Sequence, residues 1–570
     1  MTRRRLVGAL ALGLAAAATG CDSGGSGGRK PQPGPAQSTA GGPTPSPTAP
    51  PPTGAPYTLR VLAGSELQDM QPVLDDVRKA TGVTVQLSYT GTLDGAQTVA
   101  AGKADGTYDA IWFASNRYLR LDRNAAGKLL SDTSVMVSPV ALGVRSSVLA
   151  SLGWDPAQTT WSQVGAAVAA GKLTFGMADP SQSNSGLSAL IALASAFSGA
   201  QAALTQDDVA KAAPALHAFF AGQKLTSGSS GWLAQAYQRT AQGGSGPGTP
   251  PAGGWGTVGA LVNYESVLLS LNRTLPSTGQ LTVIRPTDGV VSADYPLTLL
   301  SSAGTAAADA FSRLTTELLH PEIQRELSDV TERRPVVPGV APGPGLSADR
   351  RPELPFPGSR AVADALLAAY QNQLRRPSRT VYVLDTSGSM RGSRLAALQQ
   401  ALGRLTGAGG NLVANGFRER EEVTLISFAD DVKWQHTHQI PADAPQAALA
   451  AINTDVQSLT AEGGTAIYST LEQAYQLLAQ QQAAEQDDRF TSIVLMTDGE
   501  SNEGASADDF TAFYKKLPAP GQAVPVFPIL FGEGAEQQLQ GIADLTGGKL
   551  FDALTGGSLD GVFEEIRGYQ

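Results

Sequence analysis

The chain has a single cysteine, Cys21, in 570 residues. It stands so near the N-terminus that the folded domains can hold no disulfide, no cysteine-type zinc site and no cysteine nucleophile. Histidine is nearly as scarce, with His217, His320, His436 and His438 making up the whole set. His436 and His438 lie two apart in an expected strand, so their rings share one face; that face reads as a solvated hairpin surface rather than a metal site. Charged residues are only 16% of the chain and the net charge is −10. No basic stripe exists to neutralise a phosphate backbone, which argues against a nucleic-acid partner. The expected folded segments contain no Gly-x-Ser-x-Gly elbow, no His-Glu-x-x-His and no phosphate-binding lysine loop. The chain is therefore expected to bind rather than to catalyse. After residue 20 no apolar run approaches the roughly 20 residues that span a bilayer, and no internal repeat is visible.

What is present divides the chain into five parts. Arg3, Arg4 and Arg5 precede a short apolar run, Leu6 to Ala17, and the small residues Ala18-Thr19-Gly20 lead into Cys21. A basic start, a short apolar core and small residues mark a secretory signal over 1–20. Small residues followed at once by a unique cysteine resemble the bacterial lipobox. That resemblance implies cleavage before Cys21, lipid attachment to it, and a cell-membrane protein anchored on the extracytoplasmic face. Residues 21–56 are Gly, Pro, Ser and Thr with almost no large apolar side chain, and read as a disordered tether.

From Tyr57 the pattern changes to strands alternating with helices, the signature of βαβ units and a mostly parallel sheet. Strands are expected at Leu59–Leu62, Val83–Tyr89 and Asp109–Ala114, and each is followed by small polar residues. Val137–Val144 reads as a strand crossing into a second lobe, and Ala293–Leu300 as the return strand. Gly222–Gly256 reads as a mobile loop, and Ala260 is expected to open a helix. Two βα lobes joined by crossing strands, with the phrases Asp179-Pro180, Ser185-Gly186, Asn263-Tyr264-Glu265 and Asp294-Tyr295-Pro296, resemble the type II extracellular solute-binding proteins of ABC transporters, over 57–345. The resemblance implies a periplasmic-binding-protein-like domain with ligand held between the lobes. Ser65, Thr92, Ser115, Asn116, Asn184, Ser185 and Tyr264 are the expected cleft residues, and a small solute or a peptide the expected ligand. Apart from Arg117 these loops carry no Arg or Lys, so a strongly anionic ligand would rely on hydroxyls and helix N-termini.

Residues 346–375 read as a linker and a helix, with Ser359 placed to cap it. Beyond it, Val381, Val383 and Leu384 make a short apolar strand that ends in Asp385-Thr-Ser387-Gly-Ser389. Gly463-Gly464-Thr465 opens a helix, and Ile493–Met496 is an apolar strand ending in Thr497-Asp498-Gly499. A hard cation takes oxygen ligands in an octahedron and keeps some waters; these loops supply carboxylates and hydroxyls. Their order resembles the von Willebrand factor A (VWA) family and its metal-ion-dependent adhesion site, over 376–570. By that resemblance Asp385, Ser387, Ser389, Thr465 and Asp498 hold a divalent cation, Mg²⁺ first, with Mn²⁺ and Ca²⁺ as alternatives. The VWA fold is Rossmann-like, so the expected class is α/β throughout. The implied activity is capture of a protein partner through the metal. The competing readings are an ABC importer's binding component and an envelope assembly or sensing scaffold with no solute.

Overall fold

The computed structural model describes residues 54–241, 258–407, 416–485, 489–532, 535–553 and 559–569. Cys21, the expected signal and nearly all of the expected tether lie outside the described residues. Three sheets organise the rest. The first has the spatial order Val83–Thr90, Tyr57–Gly64, Ala110–Trp112, Pro296–Leu300, Leu129–Ser134. Its first three strands pair in parallel and the last two antiparallel. The strand Tyr57–Gly64 buries Leu59, Val61 and Ala63 completely, as a strand covered by helices on both faces must.

The second sheet is built on Ser138–Arg145, which pairs antiparallel with Ala260–Tyr264. Phe175–Met177 and Gln223–Leu225 extend it in parallel. Ala260–Tyr264 is thus a central strand, not the start of a helix. All five of its residues are buried, and the helix begins only at Glu265. A short apolar run cannot be assigned by periodicity alone. The expected loop over Gly222–Gly256 instead contains the strand Gln223–Leu225 and a helix, Ser230–Ala241; residues 242–257 are outside the described set. The return segment belongs to both sheets, Ser292–Ala293 to the second and Pro296–Leu300 to the first. Between them Tyr295 takes φ 40°, a conformation rare for an aromatic residue. The N–H groups of Asp294 and Tyr295 both donate to the Ala114 carbonyl, at 3.1 and 3.0 Å.

The proline-rich stretch after Thr331 lies against the lobes. Arg334 exchanges both backbone hydrogen bonds with Val137, and Val290 is bonded to Pro352 and Leu354. Ser359 accepts from the Val362 N–H at 3.4 Å and opens the helix Arg360–Ala369. That helix and the turn after it dock on both lobes: Tyr118 donates to Asp364 at 2.9 Å, and Tyr370, just past the helix, meets Phe220 edge-on.

The third sheet has the order Val432–Gln439, Glu422–Phe428, Ser378–Asp385, Phe490–Thr497, Val526–Leu530, Phe551–Asp552. Only the edge strand Val432–Gln439 is antiparallel. All eight residues of Ser378–Asp385 are buried, which places Asp385 at the carboxyl end of the sheet's central strand, where open α/β folds make their sites. One apolar cluster runs through this unit and the second lobe together, with Leu225, Leu233 and Tyr237 packed in the same core as Tyr382, Phe527, Phe563 and Tyr569.

Candidate metal centre and interlobe cleft

The bend after Ser378–Asp385 is built by its own side chains. Asp385 Oδ1 accepts from the Ser387 N–H at 2.8 Å, and Asp385 Oδ2 accepts from the Thr497 hydroxyl at 2.6 Å. Burial raises the Asp385 carboxyl above its ordinary value; the Thr497 and Ser387 hydrogen bonds oppose this, and the nearby Asp498 carboxylate adds to the rise. Ser387 Oγ and Ser389 Oγ are 2.9 Å apart, and Ser389 donates to Asp498 Oδ1 at 2.7 Å. Four of the five expected residues are therefore joined by hydrogen bonds, Asp385 through the Ser387 backbone N–H and the other three through their side-chain oxygens.

The loop that carries the fifth, Thr465, meets the bend through the backbone of Glu462 and Gly463. The Gly388 N–H donates to the Gly463 carbonyl at 2.9 Å, and the Glu462 N–H to the Thr386 carbonyl at 2.8 Å. Thr465 follows two residues on, buried, with its N–H donated to Asn502 Oδ1 at 2.8 Å. Among the described residues no group of three or more His, Cys, Asp or Glu side chains is placed to hold a metal. A cation here would depend on hydroxyls and two carboxylates, a donor set that suits Mg²⁺ with retained waters. The sequence reading missed Arg394. Its guanidinium is ion-paired to Asp498 Oδ2, so a cationic side chain occupies a carboxylate oxygen that a metal would need. Its position in the first turn of the helix Ser393–Leu405 was the available signal.

In the N-terminal half the two lobes are in direct contact across the cleft. Ser65 Oγ lies 2.8 Å from Ser229 Oγ and accepts from the Gly231 N–H at 3.1 Å. The Leu93 N–H donates to the Gln182 carbonyl at 2.8 Å. Ser185 Oγ accepts from Ser230 at 2.8 Å and lies 3.0 Å from Ser183 Oγ, while Asn184 donates to the Tyr264 hydroxyl at 2.9 Å. Asn116 donates to Thr298 at 2.8 Å. Ser115 Oγ accepts weakly from the Arg117 N–H at 3.3 Å, and Thr92 starts a helix. All seven expected cleft residues are buried. Ser65 touches the opposite lobe; Ser115 and Asn116 bond only to residues of the first lobe or the return strand. Sequence reasoning missed Glu66, Ser183, Ser229, Ser230, Tyr295 and Arg333. Arg333 arrives from a distant part of the chain, donates to both oxygens of Asp69 at 2.8 Å and to the Glu66 carbonyl at 2.9 Å, and lies over the Tyr295 ring. No local motif could announce it. His436 and His438 lie on the edge strand Val432–Gln439, whose residues are exposed or half-buried as expected, and both rings meet Asp455 Oδ2, at 3.0 and 2.7 Å.

Comparison with known proteins gives these two halves their classes. Residues 59–328 match the family model for bacterial extracellular solute-binding proteins, and residues 381–565 that for the von Willebrand factor type A domain. One curated relative, inter-alpha-trypsin inhibitor heavy chain H4 from Sus scrofa, is 28% identical over 130 residues. The match covers 22% of this chain and 13% of that protein. Among solved structures, a periplasmic thiamin binding protein is 12% identical with a TM-score of 0.43, over 58% of this chain and all of that one. The periplasmic binding protein AfuA from Actinobacillus pleuropneumoniae, with fructose-6-phosphate bound, is 12% identical at 0.43, covering 56% and 98%. A ferric binding protein from Campylobacter jejuni is 13% identical at 0.40, covering 55% and 96%. The chain joins a solute-binding domain of an extracellular class to a C-terminal VWA domain, and no helix among the described residues is long and apolar enough to cross a membrane.

Proposed function

We propose that this chain, a solute-binding domain joined to a VWA domain, is a surface-anchored binding lipoprotein whose VWA site captures a protein partner through a divalent cation. The observation that supports this most is the hydrogen-bonded set of Asp385, Ser387, Ser389 and Asp498, with the loop before Thr465 bonded to its side. A cation held there would offer a coordination position to an acidic side chain of the partner. Asp385 is fixed by Thr497 and by a backbone N–H, so it orients the bend, while Ser389 is exposed at the rim. Asp498 supplies the second carboxylate at that rim.

The N-terminal domain, on this reading, takes a small solute or a peptide between its lobes, and Cys21 carries the lipid that holds the chain at the membrane. Binding rather than turnover is its role. Two measurements test the proposal. Pull-down from an envelope extract with the full chain should recover a partner in Mg²⁺ and lose it in chelator; equal recovery in both would count against a metal-bridged contact. Cys21→Ala should release the protein from the membrane fraction, and persistent association would count against lipidation. Recovery of a transport permease with the wild-type chain would favour the importer reading instead.

A further inference from the structure

We infer that the groove at the mouth of the interlobe cleft is selective for a small organic cation carrying an ammonium group. The inference rests on the solute-binding reading of the N-terminal domain and names the class of solute. The groove encloses about 200 Å³ between Ser65, Glu66 and Asp69 of the first lobe and Gln235, Gln238 and Thr274 of the second. That is below the range of roughly 300–1,000 Å³ that takes drug-sized ligands, so the occupant is a small metabolite.

Charge decides its class. Two carboxylates line the groove, and no Lys, Arg or His does. Asp69 is neutralised by both of its hydrogen bonds from Arg333. Glu66 is not neutralised in this way: Arg333 reaches only its backbone carbonyl. Glu66 is 8% exposed, and its Oε1 is buried with no hydrogen-bond partner. Its carboxylate is folded back over Gly64, where any Cβ would stand 2.9 Å from both of its oxygens, so the backbone is shaped to admit it. A buried acceptor left unpaired is costly, and a charged donor from outside repays that cost most fully. Burial raises the Glu66 carboxyl above its ordinary value, partly opposed by its own N–H and by Arg333. The polar rim of glutamine amides and the Thr274 hydroxyl suits the remaining hydroxyl or amine of such a solute. The sequence reading left a strongly anionic solute to hydroxyls and helix N-termini. Glu66 reverses the preferred sign.

Calorimetry on the full chain tests this, with putrescine and ethanolamine as the ammonium probes and sulfate and molybdate as oxyanion controls. At least one amine is expected to bind, with affinity lowered at least tenfold in Glu66→Gln and partly retained in Glu66→Asp. Equal amine binding by Glu66→Gln, with its circular dichroism unchanged, overturns the inference, as does silence from both amines. If the amines are silent and an oxyanion binds, the ammonium class fails while the solute-binding reading stands. If all four are silent, neither receives support and the ammonium inference is abandoned.

Discussion

Arg418 of the VWA domain donates to Asp179 Oδ2 and to Ser181 Oγ of the second lobe, each at 3.2 Å. All three side chains are buried. The stretch Asp179–Ser185 is the rim that meets the first lobe through the Gln182 carbonyl. The VWA domain is therefore seated on one of the loops that line the cleft. Its last helix, Leu559–Gly568, reaches a second such loop, because an added Cβ at Gly568 would stand 2.3 Å from Gly228 N.

Removing one side of a buried ion pair leaves the other charge uncompensated, which costs about 3–5 kcal/mol. Arg418→Ala is expected to lower stability by about that amount and to split one calorimetric unfolding transition into two, as the second lobe and the VWA domain lose their shared contact. Gly568→Ala should shift the transition the same way, because the two nearest atoms its methyl meets belong to the Gly228 backbone and cannot move aside. A single unshifted transition in both variants would show the interface to be dispensable.

Acid should loosen the same interface. Burial alone would raise Glu421, but Arg567, Arg375 and Arg418 pull its carboxyl down to about 2, from an ordinary 4.5. A carboxylate depressed on folding contributes stability that is complete above its unfolded value and is lost as pH falls through its folded value. The melting temperature should therefore stay level with respect to this group from neutral pH to near pH 5 and then drop between about pH 4.5 and pH 2. Glu421→Gln should flatten that part of the profile; an identical acid limb in the variant would exclude Glu421 as its source.

At the VWA site, Ser387→Ala and Asp498→Ala each delete one oxygen donor from a bend that also depends on backbone hydrogen bonds. Mg²⁺ affinity is expected to fall by at least about tenfold with the fold retained. Arg394→Ala should act in the opposite direction, because its guanidinium competes for Asp498 Oδ2. The pair is half exposed on the arginine side, and such pairs are worth ~1 kcal/mol or less, so the gain should be up to about fivefold. Unchanged Mg²⁺ titrations across all three variants would remove the metal from this site.

Closure of the cleft depends on a close backbone approach. A Cβ at Gly91 would lie 2.7 Å from the Gln182 carbonyl and 2.9 Å from the Gly228 carbonyl. Gly91→Ala should keep the lobes apart and speed amide exchange at Leu93, whose N–H is bonded to Gln182. Exchange at Asp385–Ser389 serves as the internal control, and equal protection at Leu93 in both proteins would refute the account.

The order of strands and helices could be read from the chain because it is written in local pattern. Alternating elements gave both lobes, and the loops bearing Asp385, Thr465 and Asp498 could be placed because each follows a strand or opens a helix. Ala260–Tyr264 was misread because a five-residue stretch has no period long enough to separate strand from helix. What the sequence by itself determined is the class of each fold and the local bend Asp385–Ser389, since these depend on residues a few positions apart. Only the tertiary structure decided that Arg394 sits on Asp498, that Arg333 pairs with Asp69 and with the Glu66 carbonyl, and that Arg418 ties the two domains together. Those relationships join residues far apart in the chain, and the choice among many available partners is made by packing rather than by local sequence.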